Sequence, residues 1–175
     1  MMQAANQCSH NLEDSQAGLA LVTIGNSLRS DDGVALALCD ALPHRIKSTI
    51  CRFDLGSHIE HLAACLKGHH SAVVVDSTQN GSEPGTVSIL NLALLLESTS
   101  PLRVESCHGL SLADELRLAK REVRLPDRLI FFGIEANDVS WSESLTPALQ
   151  QKLPGLVKHL SSLLEKILES LKRHA

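Results

Sequence analysis

Aromatic side chains are scarce: the chain has three Phe, one Trp and no Tyr in 175 residues. Its core must therefore be aliphatic. An excess of positive charge is also missing. Sixteen Lys and Arg against 20 Asp and Glu give a formal net charge of −4, which argues against sequence-independent binding to nucleic acid. The basic tip at Lys172 and Arg173 is too small to change this. The five cysteines (Cys8, Cys39, Cys51, Cys65, Cys107) are odd in number and contain no C-x-x-C pair. That excludes a disulfide framework and a structural zinc site. Cys39, Cys51 and Cys65 lie in apolar surroundings and read as small core residues. No apolar run is long enough to span a bilayer, and residues 1–14 lack the hydrophobic segment of a signal peptide. The expectation is a cytoplasmic protein with reduced thiols and neither a nucleic-acid nor a membrane partner. Internal repeats and low-complexity segments are absent.

What is present suits one domain. Hydrophobic residues make up 43%, and the length allows one proper core but not two. Residues 1–17 are polar and unpatterned and are expected to form a flexible lead-in; residues 18–175 form a single α/β domain. Residues 19–24 (LALVTI) predict a buried strand. Residues 25–32 carry turn chemistry, and Val34, Ala37, Leu38 and Ala41 then recur at helical spacing until Pro43. A second strand is predicted at 49–55 and a helix from Gly56-Ser57 through Lys67, ended by Gly68. Residues 71–75 (SAVVV) are continuous and β-branched, as in a central parallel strand. Residues 86–90 read as an antiparallel edge strand, because the preceding loop cannot hold a crossover helix. Short helical signals follow at 91–98, a brief strand at 102–105, a helix at 111–122 and a strand at 127–134. Residues 140–150 read as a loop with room for a short helix. An apolar stripe at 153–173 predicts a final helix with Pro154 in its first turn. Alternating strands and helices give a three-layer α/β/α sandwich, its twisted sheet mostly parallel with one antiparallel edge strand.

Three groups of chemical interest fall at equivalent places. Asp31 and Asp32 follow the first strand, Asp76 ends the central strand, and His108 follows the brief strand and precedes a helix. In open α/β sheets such positions converge on one edge. Two carboxylates and an imidazole there could hold a divalent transition metal with positions left open. Taken singly, Asp31 and Asp32 fit helix capping, Asp76 fits a turn, and His108 fits a cap or a surface residue. Other constellations are weaker. His58 and His61 stand one helical turn apart without an obvious third ligand, and His69-His70 reads as an exposed turn. Ser27, Ser77 and Ser106 are candidate nucleophiles for His108, but no G-x-S-x-G elbow is present. Cys107 and His108 are chain neighbours and point to opposite faces of an extended segment. The turn after the first strand has Gly25 alone before Gly33 and is acidic, unlike a phosphate-binding loop.

The segments IGNSLRSDDGV (24–34), VVVDSTQNGSEPGTV (73–87), SCHGLSLADEL (106–116) and FFGIE (131–135) resemble, in that order, those of the hydrogenase maturation proteases. These endopeptidases trim the C-terminal extension of NiFe-hydrogenase large-subunit precursors. Carried over by motif, the resemblance implies Asp32, Asp76 and His108 as the nickel-contacting and catalytic set, with Asp31 the less favoured neighbour. It implies that the nickel belongs to the substrate, already loaded in the precursor, and that a water polarised by the metal or by a carboxylate attacks the peptide. The chain departs from the pattern at Ala35, where a second Gly is usual, at Cys107, where Ser is more common, and at Gly109, where an acid is common. Two other readings stay open: a nickel-reading chaperone or binding module that docks on the large subunit without cutting it, and another hydrolase of similar fold, such as a peptidyl-tRNA hydrolase.

Overall fold

The computed structural model describes residues 18–97 and 112–173. Five strands form one sheet: β1 (Leu19–Ile24), β2 (Ile50–Gly56), β3 (Ser71–Thr78), β4 (Val87–Asn91) and β5 (Arg128–Glu135). Their order across the sheet is β2-β1-β3-β5-β4. Three neighbouring pairs are parallel, and β4 runs antiparallel to β5. The helices are α1 (Val34–Asp40), α2 (His44–Lys47), α3 (Leu62–Leu66), α4 (Leu92–Glu97), α5 (Leu112–Glu122) and α6 (Pro147–Lys172). This is the expected mostly parallel sandwich with an antiparallel edge. The brief strand expected at 102–105, and His108 with it, lie outside the described residues.

The sheet is covered on both faces, which is why its central strands read as unbroken apolar runs. Leu19, Leu21, Val73, Val75, Phe132 and Ile134 pack with Leu38, Ile46, Leu156, Leu160, Leu164 and Ile167. The alternate strand residues Ala20, Val22, Ala72, Val74, Leu129 and Phe131 pack on the other face with Leu62, Leu66, Leu92, Leu112 and Leu116. This alternation is the two-residue period of a strand. Phe131 and Phe132, two of the few aromatic residues, fill one side each.

Several element ends differ from the sequence expectation. β3 continues to Thr78, so Asp76 lies within the strand rather than after it. Its last pairing with β1 is Thr23 to Val75, whereas Asp76, Ser77 and Thr78 pair with β5 alone. Asp76 therefore stands level with Ile24, the last residue of β1. The predicted helix after Gly56 is a 3-10 turn at Ile59–His61 followed by the short α3. Helix α2 was not foreseen; Pro43, with φ −58°, is its N-cap as well as the stop for α1.

The final helix starts at Pro147, with the Thr146 hydroxyl accepting from the Leu149 N–H. Pro154 is not in the first turn but inside the helix. An interior proline removes one hydrogen bond and costs about 3 kcal/mol. Pro154 is exposed, so the carbonyl it leaves unpaired can reach water. Burial of Leu149, Leu156, Leu160, Leu164 and Ile167 keeps the helix continuous through it.

The sheet order has one functional consequence. From β1 the chain crosses by α1 to β2 on one side, then returns past β1 to β3 on the other. The connections diverge between β1 and β3, and a crevice at the carboxyl ends of such strands is where open α/β sheets take ligands.

Candidate functional site

Two loops meet at that crevice. The first, after β1, closes on itself. Gly25 has φ +143°, and a Cβ there would stand 2.1 Å from the Asp32 carbonyl oxygen. A Cβ on Gly33 would reach within 2.9 Å of the Ser27 Cα. Only glycine allows these approaches. Gly25→Ala would impose both positive-φ strain and a backbone clash, so we expect a loss of about 3 kcal/mol or more, measured by urea unfolding. The curl brings the Asn26 N–H to Asp32 Oδ2 at 3.1 Å. Ser30, at φ +49°, ends the bend and opens the 3-10 turn Ser30–Gly33 that carries both acids.

Asp31 and Asp32 are neighbours with different partners. Asp31 is fully buried. Its Oδ1 accepts from the Thr146 N–H at 2.7 Å. Its Oδ2 accepts from the N–H groups of Asn137 at 2.9 Å and Asp138 at 3.2 Å, and from the Thr146 hydroxyl at 2.9 Å. Asp31 is therefore no cap for α1, as capping logic suggested; it ties the loop after β5 and the start of α6 to the site loop. Backbone bonds from Ser30 N to Ser142 O (2.8 Å) and from Asp31 N to Asp138 O (3.0 Å) complete the junction.

Asp32 faces the crevice and is 1% exposed. Its Oδ1 accepts from the Ser77 hydroxyl at 2.7 Å. The N–H of the same Ser77 donates to Asp76 Oδ1, also at 2.7 Å. Two acids far apart in sequence are thus held by one serine between them. Asp76 and Ser77 are both fully buried. The carboxylates offer hard oxygen donors suited to a divalent cation. His108, the third residue of the expected set, lies outside the described residues. Among the described residues no group of three His, Cys, Asp or Glu could hold a metal.

The other candidates except Ser77 separate from this edge. Ser77 stays at it, its hydroxyl donating to Asp32 and fully buried in the free protein. His58 is exposed and pairs its Nδ1 with Glu60 at 2.9 Å. His70 is exposed, but His69 is half-buried, edge-on to Phe53 at 5.8 Å; burial lowers its pKa. Cys39, Cys51 and Cys65 are buried as expected. Burial pushes the Cys39 thiol far above its usual range and the Cys65 thiol up to about 11. Both are poor nucleophiles, so thiol reagents should leave Cys39 and Cys65 unmodified in the folded protein, as peptide mapping would show.

Glu135 had no role in the sequence reading beyond its motif. At the end of β5 it is buried and accepts from the Thr78 hydroxyl and the N–H groups of Asn80 and Ser82, at 2.8, 2.7 and 3.1 Å. It secures the loop after β3 as Asp31 secures the loop after β1. A cleft of about 830 Å³ opens elsewhere, lined by Gly18, Ser71 and Arg128 at the amino ends of strands. It lies at the opposite sheet edge from both carboxylates.

Comparison with known proteins converges on one family. Residues 40–163 match the hydrogenase maturation protease family HycI; the match includes Asp76 and His108 and begins after Asp32. The hydrogenase expression/formation protein HupD of Rhizobium leguminosarum bv. viciae is 22% identical over 143 residues, covering 80% of this chain and 70% of its own. The hydrogenase maturating endopeptidase HybD from E. coli has a similar fold, with TM-score 0.67 and 20% identity over 85% of this chain and 93% of its own. So has the NiFe-hydrogenase maturation protease HybD from Thermococcus kodakarensis, with TM-score 0.65 and 20% identity over 84% and 99% of the two chains. With two acids joined at the switch point of a five-stranded sheet and most of its length matching one family, the chain belongs to the hydrogenase maturation proteases, which are peptide hydrolases.

Proposed function

We propose that this protein removes the C-terminal extension of a nickel-loaded NiFe-hydrogenase large-subunit precursor, reading the substrate's nickel through Asp32, Asp76 and His108. The observation that carries the proposal is the meeting of Asp32 and Asp76 on Ser77 at the carboxyl edge of β1 and β3. The family supplies the substrate class. The nickel is cargo of the precursor. Two carboxylates and one imidazole supply three donors from three chain segments and leave coordination positions for the precursor's own ligands. The free protein should accordingly bind nickel weakly.

In this reading the three side chains hold the cleavage region of the precursor against the crevice. A carboxylate, or the metal it touches, polarises the water that attacks the scissile carbonyl. Asp32 and Asp76 are buried in the free protein, so a cation reaches them through local opening of the crevice, which docking of the precursor favours. The negative net charge and the absence of a membrane-spanning helix among the described residues fit a protein substrate met in the cytoplasm.

The test is incubation of purified protein with nickel-loaded precursor. A product shortened at its C-terminus supports the proposal. A stable complex with the precursor left intact would favour a docking module instead. Serine- and thiol-protease reagents should not block the cleavage; inhibition mapped to Cys107 would point to a cysteine mechanism.

A further inference from the structure

Ser77 makes two contacts of different kinds. Its backbone N–H donates to Asp76 and its side-chain hydroxyl to Asp32, each at 2.7 Å. It lies among the last three residues of β3, which pair only with β5. This position puts its side chain within reach of the loop that follows β1. Main-chain pairing with Ile134 fixes where Ser77 sits, and full burial denies the two carboxylates water as an alternative donor.

We infer that Ser77 is a positioning residue for the acid pair, holding Asp32 and Asp76 in fixed orientation for a divalent cation. This rests on the assignment of Asp32 and Asp76 to the nickel-reading site. The physical reason is burial. Buried carboxylate oxygens need hydrogen-bond donors, and a donor fixed in place sets where the remaining oxygens point. Ser77 supplies one donor to each carboxylate without adding a positive charge that would compete with the cation. The hydroxyl also takes one Asp32 oxygen as its acceptor, setting the carboxylate plane. Partners that orient metal-binding side chains in this way typically contribute 10–100-fold to metal affinity or activity.

Ser77→Ala separates the two contacts, because it deletes the hydroxyl and keeps the N–H. Alanine is smaller than serine and fits the strand, so the variant should fold with a melting temperature within a few degrees of wild type. The expected result is a Kd for NiCl2, read by titration calorimetry on the full chain, raised by about 10–100-fold. The kcat for nickel-loaded precursor should fall by a similar factor, with KM within about threefold. Ser77→Thr, which keeps the hydroxyl, should retain more nickel affinity than Ser77→Ala. Nickel affinity and kcat of Ser77→Ala within twofold of wild type would overturn the inference. So would a loss explained wholly by a smaller folded fraction. Asp32→Asn and Asp76→Asn serve as controls: if both process precursor at the wild-type rate, it is the site assignment that fails.

Discussion

Asp32→Asn and Asp76→Asn should each slow precursor processing by about 10²–10⁴-fold, the range for loss of a group acting directly on the reacting centre, while the protein stays folded. The folding half of this expectation follows from hydrogen-bond chemistry at Asp32. Its two oxygens accept from the Asn26 N–H and the Ser77 hydroxyl. An asparagine at this position keeps one oxygen for the Asn26 N–H and turns its NH2 toward Ser77. A hydroxyl can accept as well as donate, so both contacts survive. What disappears is the negative charge that attracts the cation. Timed processing assays beside thermal melts would check both halves. Full activity in both variants, with unchanged melts, would remove these acids from the site.

Asp31→Asn should do the reverse and unfold the junction that places the site. The partners of Asp31 cannot adapt. Backbone N–H groups of Thr146 on one oxygen and of Asn137 and Asp138 on the other only donate. Whichever way the amide is turned, its NH2 faces a backbone N–H. The substitution also removes the charge that strengthens four hydrogen bonds at a fully buried position. Breaking a buried, hydrogen-bonded charge network costs about 3–5 kcal/mol. For a chain of this size that lowers the melting temperature by roughly 10 °C. Asp138→Asn is the matched control, because the Asp138 carboxylate is exposed and its hydrogen bonds are local, to Ser140 and the Val139 backbone. Its melt should stay near wild type. A normal melt for Asp31→Asn would contradict the clamp. The two adjacent acids thus predict opposite phenotypes from the same substitution.

Much of this was legible in the sequence because it depends on local pattern. The run SAVVV marked the central strand, and the spacing of Leu156, Leu160, Leu164 and Ile167 marked the last helix. Asp32 and Asp76 could be placed near one edge because strand ends in a parallel sheet converge there. The end of β3 was not legible: Asp76, Ser77 and Thr78 are polar, and only pairing with β5 extends the strand through them. The start of α6 was missed because Pro154 imitates a first-turn proline, while Thr146 and Pro147 carry the actual N-cap and first position. The roles of Asp31, Ser77 and Glu135 rest on partners far along the chain. Nothing in the pair Asp31-Asp32 tells which acid turns inward to the β5–α6 junction and which toward β3. That division depends on where Thr146 and Ser77 arrive, which is a property of the assembled sheet.

The central claim is that cleavage is licensed by nickel in the precursor and read through Asp32, Asp76 and His108. Its most direct measurement is the intact mass of one large-subunit precursor, prepared with and without nickel, after incubation with this protein. The account predicts loss of a C-terminal peptide from the nickel-loaded form only, and none from either form with Asp32→Asn. Equal cleavage of both forms, or undiminished cleavage by Asp32→Asn, would contradict it.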